Sequence, residues 1–140
     1  MPAMFWASVD KEGCDACRIW RHGSGWTLAG SALWCQAQAV ANLRYRLDCD
    51  ADWVSTQATV QGWVGAQTVN VHITRAKNGW LVNDLPDPAL TGLLDIDLGF
   101  TPASNTNAIQ RLNLAIGQAC STVAVWIDTE DWRVQPLHQT

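Results

Sequence analysis

The sequence predicts an all-β protein: a single antiparallel meander or roll that carries one short helix. Three observations predict this class. Apolar and polar residues alternate with a period of two through most of the chain, short turn signals separate the alternating segments, and a single segment shows a helical period. Because successive strands are joined by short connections, we expect neighbouring strands to be antiparallel.

Four segments in the first half of the chain carry the alternation. In "GWTLAGSALWCQ", Trp26, Leu28 and Trp34 fall on one face. In "NLRYRLDC", leucine and tyrosine share one face, and arginine and aspartate share the other. The segments "WVSTQATVQGWV" and "QTVNVHIT" oppose valine and isoleucine to threonine, glutamine and asparagine. Each segment therefore predicts a strand with one buried face.

The second half predicts shorter elements. The segments "LNLAI", "TVAVWI" and "DWRV" continue the strand pattern, and "NTNAIQRL" predicts a helix of two turns at most. Asn78-Gly79 is a strong hairpin signal, because both residues tolerate positive φ. No linker, repeat or low-complexity tract interrupts the pattern, so we expect one domain over residues 1–140.

Composition excludes several classes of function. The chain of 140 residues is 48% hydrophobic, enough for a core without a cofactor or disulfides. A net charge of −4 with scattered basic residues disfavours nucleic acid as a partner. No apolar run reaches about eighteen residues, so no membrane-spanning segment is expected. The start lacks the features of a signal peptide, which predicts a cytoplasmic protein whose five cysteines are free thiols.

Tryptophan dominates the aromatic residues, with nine against one tyrosine and two phenylalanines. Two explanations remain open. The indole rings fill a wide core, or several of them line a cavity in which flat rings stack on sugar faces or acyl chains.

The C-x-x-C spacing of Cys14 and Cys17 is typical of redox and zinc sites. A redox pair needs a helix N-terminus to lower the thiol pKa, whereas a strand, "RIW", follows here. The nearby Asp10, Glu12 and Asp15 would raise that pKa. The pattern favours an ordinary reduced segment without metal. None of the three histidines belongs to a recognisable catalytic motif with a nucleophile, so no catalytic residue is predicted.

Asp95 and Asp97 lie two residues apart on a predicted strand, so both side chains leave the same face. Paired carboxylates of this kind could hold a divalent ion in a metal-dependent enzyme that acts on sugar phosphates or nucleotides. Alternatively they accept hydrogen bonds from the following turn and from Arg111. The sequence favours this structural interpretation, with Asp97 as the partner of Arg111.

The segment "LLDIDLGFTPASNTNAIQRLNLAIG" resembles the signature of the bacterial "putative glycolipid-binding" family, D-x-D-L-G-F-[ST]-P-A-T-N-T followed by L-P-I-x-R-L. The chain departs from it at Ser104, at Asn107-Ala108 and at Gln110. The resemblance extends over most of the chain from about Trp20 onward. The matching positions are Asp95, Asp97, Leu98, Gly99, Phe100, Pro102, Ala103, Asn105, Thr106, Ile109, Arg111 and Leu112.

The resemblance implies a spiral β-roll, an open sheet shaped like half a barrel, that binds lipid or glycolipid. It implies no catalytic residue and no cofactor. On such a shape the signature segment is expected mainly to shape the chain and to border the pocket. The ligand is expected to lie on a concave face rich in tryptophan. The residues predicted to contact it are Trp26, Trp34, Trp53, Trp63 and Trp80.

The chain stops at "PLHQT", where family members continue through further strands. This implies a C-terminally truncated roll whose final strand, near Trp126 or Trp132, has an open edge. Unpaired N–H and C=O groups on such an edge invite a second chain, so we expect a homodimer or a tendency to aggregate. A truncated roll that self-associates without a ligand is the remaining alternative.

Overall fold

Strands make up most of the protein and form two sheets. A computed structural model describes residues 2–140. Besides the strands it contains one α-helix, α1 (Asn105–Leu112), and two 3-10 turns, Pro88–Leu90 and Pro102–Ser104. The strands are β1 (Ala3–Ala7), β2 (Glu12–His22), β3 (Gly25–Gln36), β4 (Ala39–Cys49), β5 (Ser55–Val64), β6 (Gln67–Ala76), β7 (Gly79–Val82), β8 (Leu85–Pro86), β9 (Asp95–Asp97), β10 (Thr122–Ile127) and β11 (Val134–Gln139).

The larger sheet is an antiparallel meander in which β1 to β8 pair in sequence order. The alternation predicted from the sequence is confirmed: on β4, Leu43, Tyr45 and Leu47 are buried, whereas Asn42 and Arg44 are exposed. We call the face that carries Tyr45 the inner face and the opposite one the outer face. The sheet stays open, because β1 and β8 are its two edges.

The smaller sheet has the order β11-β10-β9 and covers the inner face. β10 runs antiparallel to β11 but parallel to β9, with Val125 opposite Ile96. The all-β class, the antiparallel roll and the single short helix are confirmed, whereas the second sheet and its parallel pair were not predicted. The core shared by the two sheets includes Leu28, Leu43, Leu47, Val60, Ile73, Ile96, Leu98, Val125 and Ile127.

Two of the shorter predicted strands differ from the structure. The predicted strand "LNLAI" is wrong, because α1 continues to Leu112 and Asn113 ends it in the left-handed conformation, with φ of 51°. The predicted strand "DWRV" is present only from Val134, because Asp128 and Asp131 each accept a turn N–H at 2.9 Å and hold the preceding residues in a turn.

The hairpin predicted at Asn78-Gly79 is confirmed, with its turn one residue earlier. Ala76 pairs with Gly79, so the two turn residues are Lys77 and Asn78. Gly79 follows the turn at a φ of 148°, which favours glycine.

The final strand, β11, is one of the two edges of the smaller sheet, whereas Trp126 lies on the central strand β10 and Trp132 precedes β11. β11 carries Pro136, which has no N–H to offer to another strand. Proline on an edge strand opposes further pairing. Self-association stays a prediction, which light scattering at high protein concentration tests.

A buried ion pair joins β9 to α1. The Nε and Nη2 atoms of Arg111 donate to the two carboxylate oxygens of Asp95, at 2.8 and 2.7 Å. Asp95 is 1% exposed. Hydrogen bonding to Asp95 raises the pKa of Arg111, so the guanidinium remains charged. The prediction that Asp97 is the partner of Arg111 is wrong, although the structural interpretation of this pair of carboxylates is supported.

Asp97 instead closes the turn that follows β9. Its Oδ1 accepts hydrogen bonds from the N–H of Gly99 at 2.8 Å and from the Ser104 hydroxyl at 3.2 Å. Gly99 has a φ of 74°, and a Cβ there would lie 2.2 Å from the carbonyl oxygen of Ile127. Pro102 then opens a 3-10 turn, and Asn105 and Thr106 form the start of α1. The signature segment therefore shapes the chain.

Removing one partner of the buried pair should leave the other as an uncompensated buried charge. We expect Asp95→Asn and Arg111→Gln each to lower the free energy of unfolding by about 3–5 kcal/mol. The double variant should lose less than the sum of the two, because the groups interact directly. Urea denaturation measures all three.

The matched control is Arg133→Gln. Arg133 pairs with Asp131 at 3.4 Å, but their side chains are 80% and 48% exposed. The Arg133→Gln substitution should therefore lower the free energy of unfolding by only about 0–1 kcal/mol. A loss at Asp95 no larger than that at Arg133 would contradict the structural role of the buried pair.

Candidate functional site

Three of the five tryptophans predicted to contact a ligand lie at one end of the sheet, and they do not form an open binding surface. Trp26 and Trp53 stack on each other, with ring centroids 4.6 Å apart. The guanidinium of Arg21 lies 4.7 Å from the Trp26 ring. Trp80 is 2% exposed and donates its Nε1–H to the carbonyl of Leu93 at 3.0 Å, so it is a core residue.

The other two tryptophans lie on opposite faces of the sheet. Trp34 pairs with Ala41, a buried inner-face residue, whereas Trp63 pairs with the exposed Asn42 of the outer face. The prediction that all five rings form one concave surface is therefore wrong. Successive side chains of a strand leave opposite faces of the sheet. Trp63 is an odd number of residues away from the inner-face residues of β5, so it lies on the outer face.

The hollow beside Trp34 is the most enclosed candidate site on the inner face. It has a volume of about 250 Å³ and lies between β1, β2, β3 and the signature segment. Its apolar wall includes Trp6, Ala32, Trp34, Phe100 and Pro102, and the turn between β1 and β2 closes one side. We call it the inner cavity.

Phe100 holds the rings of this region together. Its ring lies 6.0 Å from Trp34, 6.1 Å from Trp132 and 5.7 Å from Tyr45, the last in an edge-to-face arrangement. Such geometries add to the stabilisation that burial provides. The expectation that the signature segment borders a pocket matches the position of Phe100 and Pro102 in the cavity wall.

A charged residue lies among these apolar groups. Asp15 pairs with Trp6 on one side and with Ala32 on the other, and it is only 4% exposed. The Tyr45 hydroxyl donates to Asp15 Oδ1 at 2.8 Å. Thr101 in turn donates to the Tyr45 oxygen at 3.3 Å. We call Asp15, Tyr45 and Thr101 the polar cluster.

Glycine makes room for this cluster. Gly30 faces Tyr45 across β3 and β4, and a Cβ there would lie 2.5 Å from the Tyr45 hydroxyl. The same Cβ would lie 2.3 Å from the carbonyl oxygen of Ala16. A larger residue at position 30 would therefore displace the hydroxyl that orients Asp15.

Burial governs the titration of the polar cluster. Burial raises the pKa of Asp15, and its effect exceeds that of the hydrogen bonds from Thr101 and Tyr45, which lower it. Burial also raises the pKa of Tyr45 and of the adjacent Cys17 thiol. Among residues 2–140, the cavity wall contains one cationic side chain, Lys11, whose Nζ lies 4.7 Å from the centroid of Trp34.

A second, more open hollow adjoins the inner cavity. It has a volume of about 540 Å³ and includes the outer-face residues Leu33, Val40 and Trp63, which are 45%, 50% and 43% exposed. Both hollows are lined by Cys14, Leu33 and Trp34, so they meet at the Trp34 rim. We call the second hollow the outer groove.

The alternative sites considered from the sequence are not assembled. Cys14 and Cys17 are three residues apart on β2, so their side chains leave opposite faces, and all five cysteines are free. Both carboxylate oxygens of Asp95 are bonded to Arg111. Among residues 2–140, no group of three or more His, Cys, Asp or Glu side chains could hold a metal ion.

The sequence reasoning missed Trp6, Lys11, Asp15, Tyr45 and Thr101 as site residues. A signal for Asp15 was present, because the alternation in "CDACRIW" places it on the face of Cys17 and Ile19. An aspartate on the apolar side of a strand indicates a buried polar interaction. No local pattern indicated Thr101, since it reaches the cluster only through the fold.

Comparison with known proteins gives two matches. A family model described as "Putative glycolipid-binding" matches residues 3–140. The crystal structure of a DUF1089 family protein from Pseudomonas aeruginosa is similar, with a TM-score of 0.75 and 26% identity. That similarity covers 95% of this chain and 72% of the other. A search of curated proteins found no match. In residues 2–140, the structure has no helix long and apolar enough to cross a membrane.

The raised pKa of Asp15 predicts a pH dependence of stability. Because the folded protein holds this proton more tightly than the unfolded chain, the stabilising effect is complete below the ordinary pKa of 3.8. It is lost as the pH rises through the folded-state pKa. We therefore expect the wild type to lose stability relative to Asp15→Asn as the pH rises above about 4.

Urea denaturation of both proteins at a series of pH values from about 4 upward tests the expectation. Cys17 and Tyr45 lie beside Asp15 in both proteins, so their own titration largely cancels in the difference, and the charge of Lys11, which lines the same cavity, is common to both. Parallel pH profiles for the two proteins would show that Asp15 ionises in the folded state as it does in water.

Proposed function

Because the chain belongs to the "Putative glycolipid-binding" family, whose model matches residues 3–140, we propose that it binds an amphipathic lipid at the Trp34 rim. A glycolipid is the ligand that the family description favours. The headgroup lies in the inner cavity and the acyl chain lies along the outer groove. Trp34 separates the two parts and contacts both.

One observation carries this proposal: an enclosed hollow with a buried polar group adjoins an open apolar hollow along three shared residues, Cys14, Leu33 and Trp34. Ligand sites are typically lined by aromatic and apolar side chains with a few convergent polar groups. Such a pair of compartments suits a molecule with one polar end and one apolar end. A ligand that is apolar throughout would leave the polar cluster without a partner.

The outer groove is suited to an acyl chain. Leu33, Val40 and Trp63 are large apolar side chains that remain close to half exposed on neighbouring strands. Contiguous exposed apolar surface commonly marks a binding site. Burying about five methylene groups there would contribute about 4 kcal/mol. Part of this gain is offset by the lost freedom of the ligand.

We propose binding without catalysis at this site. A nucleophilic thiol needs a lowered pKa, whereas burial raises that of Cys17, the thiol next to the polar cluster. Tyr45 likewise has its pKa raised by burial, so its phenol remains protonated. These groups can hold hydrogen bonds but are poor nucleophiles.

Removing the ring at the rim should weaken binding. We expect Trp34→Ala to lower the affinity for octyl β-D-glucoside at least about tenfold, equivalent to about 1.4 kcal/mol. Isothermal titration calorimetry below the critical micelle concentration measures the affinity, and near-ultraviolet circular dichroism checks that each variant is folded.

The matched control is Trp53→Ala. Trp53 is also half-buried and also packs against one neighbouring ring, but it lies at the opposite end of the sheet. The affinity of the Trp53→Ala variant for the glucoside should equal that of the wild type. Equal losses in both variants, or no binding by the folded wild type, would refute a lipid site at Trp34.

A further inference from the structure

The Asp15 carboxyl has one oxygen without a hydrogen-bond partner. Oδ1 accepts from the Tyr45 hydroxyl, whereas Oδ2 has no partner among residues 2–140. Asp15 is 4% exposed and forms part of the wall of the inner cavity. Buried polar atoms are nearly always hydrogen-bonded, so an unpaired one at a cavity indicates a missing partner.

The polar cluster cannot supply that partner itself. The Tyr45 hydroxyl donates to Asp15 Oδ1, and the Thr101 hydroxyl lies 3.3 Å from the Tyr45 oxygen, but neither hydroxyl bonds Oδ2. A hydrogen-bond partner for Oδ2 would therefore have to come from the cavity that Asp15 borders.

We propose, building on the function proposed above, that Asp15 Oδ2 forms a hydrogen bond with a hydroxyl group of an uncharged, hydroxyl-bearing headgroup. The headgroup belongs to the chemical class of sugars and polyols. Asp15 is thereby the residue that selects the headgroup, while the outer groove accepts the chain with little selectivity.

Charge disfavours the other headgroup classes. A phosphate or carboxylate would share the cavity with Lys11, but it would also bring a second negative group next to Asp15 in a poorly hydrated site. An ammonium group would have to share the site with Lys11, whose Nζ already lies over the Trp34 ring at 4.7 Å. A hydroxyl avoids both conflicts and carries no charge into the cavity.

A hydroxyl also pairs with Asp15 in either protonation state. It donates to the carboxylate, and it accepts from the protonated carboxyl. The inner cavity, at about 250 Å³, is somewhat smaller than a typical site for a whole drug-sized ligand. It suits one sugar ring, whose apolar face can pack against Trp6 or Trp34.

Probes with a common chain and different headgroups test the proposal in the wild type. The probes are octyl β-D-glucoside, octyl methyl sulfoxide and octyltrimethylammonium. The sulfoxide is uncharged and accepts hydrogen bonds but has no hydroxyl. We expect the glucoside to bind at least about tenfold more tightly than either other probe, because it alone can pair with Oδ2 as a hydroxyl. Isothermal titration calorimetry below the critical micelle concentration measures each affinity.

A pair of variants attributes this preference to Asp15. Asp15→Leu combined with Tyr45→Phe removes both members of one hydrogen bond and leaves no unpaired partner between them. Tyr45→Phe alone keeps the carboxyl and is the matched control. We expect the double variant to lose the preference for the glucoside and to bind the sulfoxide as the wild type does. The single variant should keep the preference.

Each outcome separates this inference from the proposed function. If the wild type binds all three probes equally, or binds the ammonium probe best, headgroup selection by a hydroxyl is refuted and lipid binding stands. If the double variant keeps the preference for the glucoside, or if its affinity falls equally for all three probes, the role of Asp15 is refuted. If the folded wild type binds none of the probes, both proposals fail. The wild-type comparison decides the ligand class even if the double variant does not fold.

Discussion

The paired hydrogen bonds between Arg111 and Asp95 hold β9 and α1 together on the inner face of the larger sheet. A second buried link reinforces them. Asn107 of α1 donates to the Ser55 hydroxyl at 3.1 Å, and that hydroxyl accepts the N–H of Ile96 at 3.0 Å. Because β9 continues directly into Phe100, Thr101 and Pro102, these polar contacts determine where one wall of the inner cavity lies.

The polar cluster is difficult to explain by stability alone. Replacing buried polar pairs by apolar side chains of similar shape is often neutral or stabilising. Asp15 is buried, has no partner for Oδ2 within residues 2–140, and has its pKa raised by that burial. Polar groups in such surroundings are common at functional sites. A ligand hydroxyl that completes the cluster would give its position a purpose that packing does not.

The open form of the larger sheet matters for the proposed site. In a closed barrel the interior and exterior would be separated by a continuous ring of strands. Here the end of the sheet near Trp34 brings the inner cavity and the outer groove to one rim. An amphipathic molecule could then keep its polar end inside and its chain outside. The shared family and the similar solved structure agree with a fold of this kind.

Local patterns in the sequence determined much of the fold. A strand repeats every two residues, so alternation alone assigned the buried faces of β3 to β6 and separated Tyr45 from Arg44. Turn residues located the hairpin at Lys77 and Asn78 to within one position. The family signature indicated that Phe100 and Pro102 lie near a pocket.

Only the tertiary structure decided which groups meet across the core. Asp95 rather than Asp97 pairs with Arg111, because the position of α1 depends on the packing of two sheets. Asp15, Tyr45 and Thr101 are far apart in the chain and converge for the same reason. The alternation of side chains along a strand assigns each residue to a face of the sheet, but it does not tell which distant element covers that face. The binding site consists of such distant contacts, and the sequence by itself could not place it.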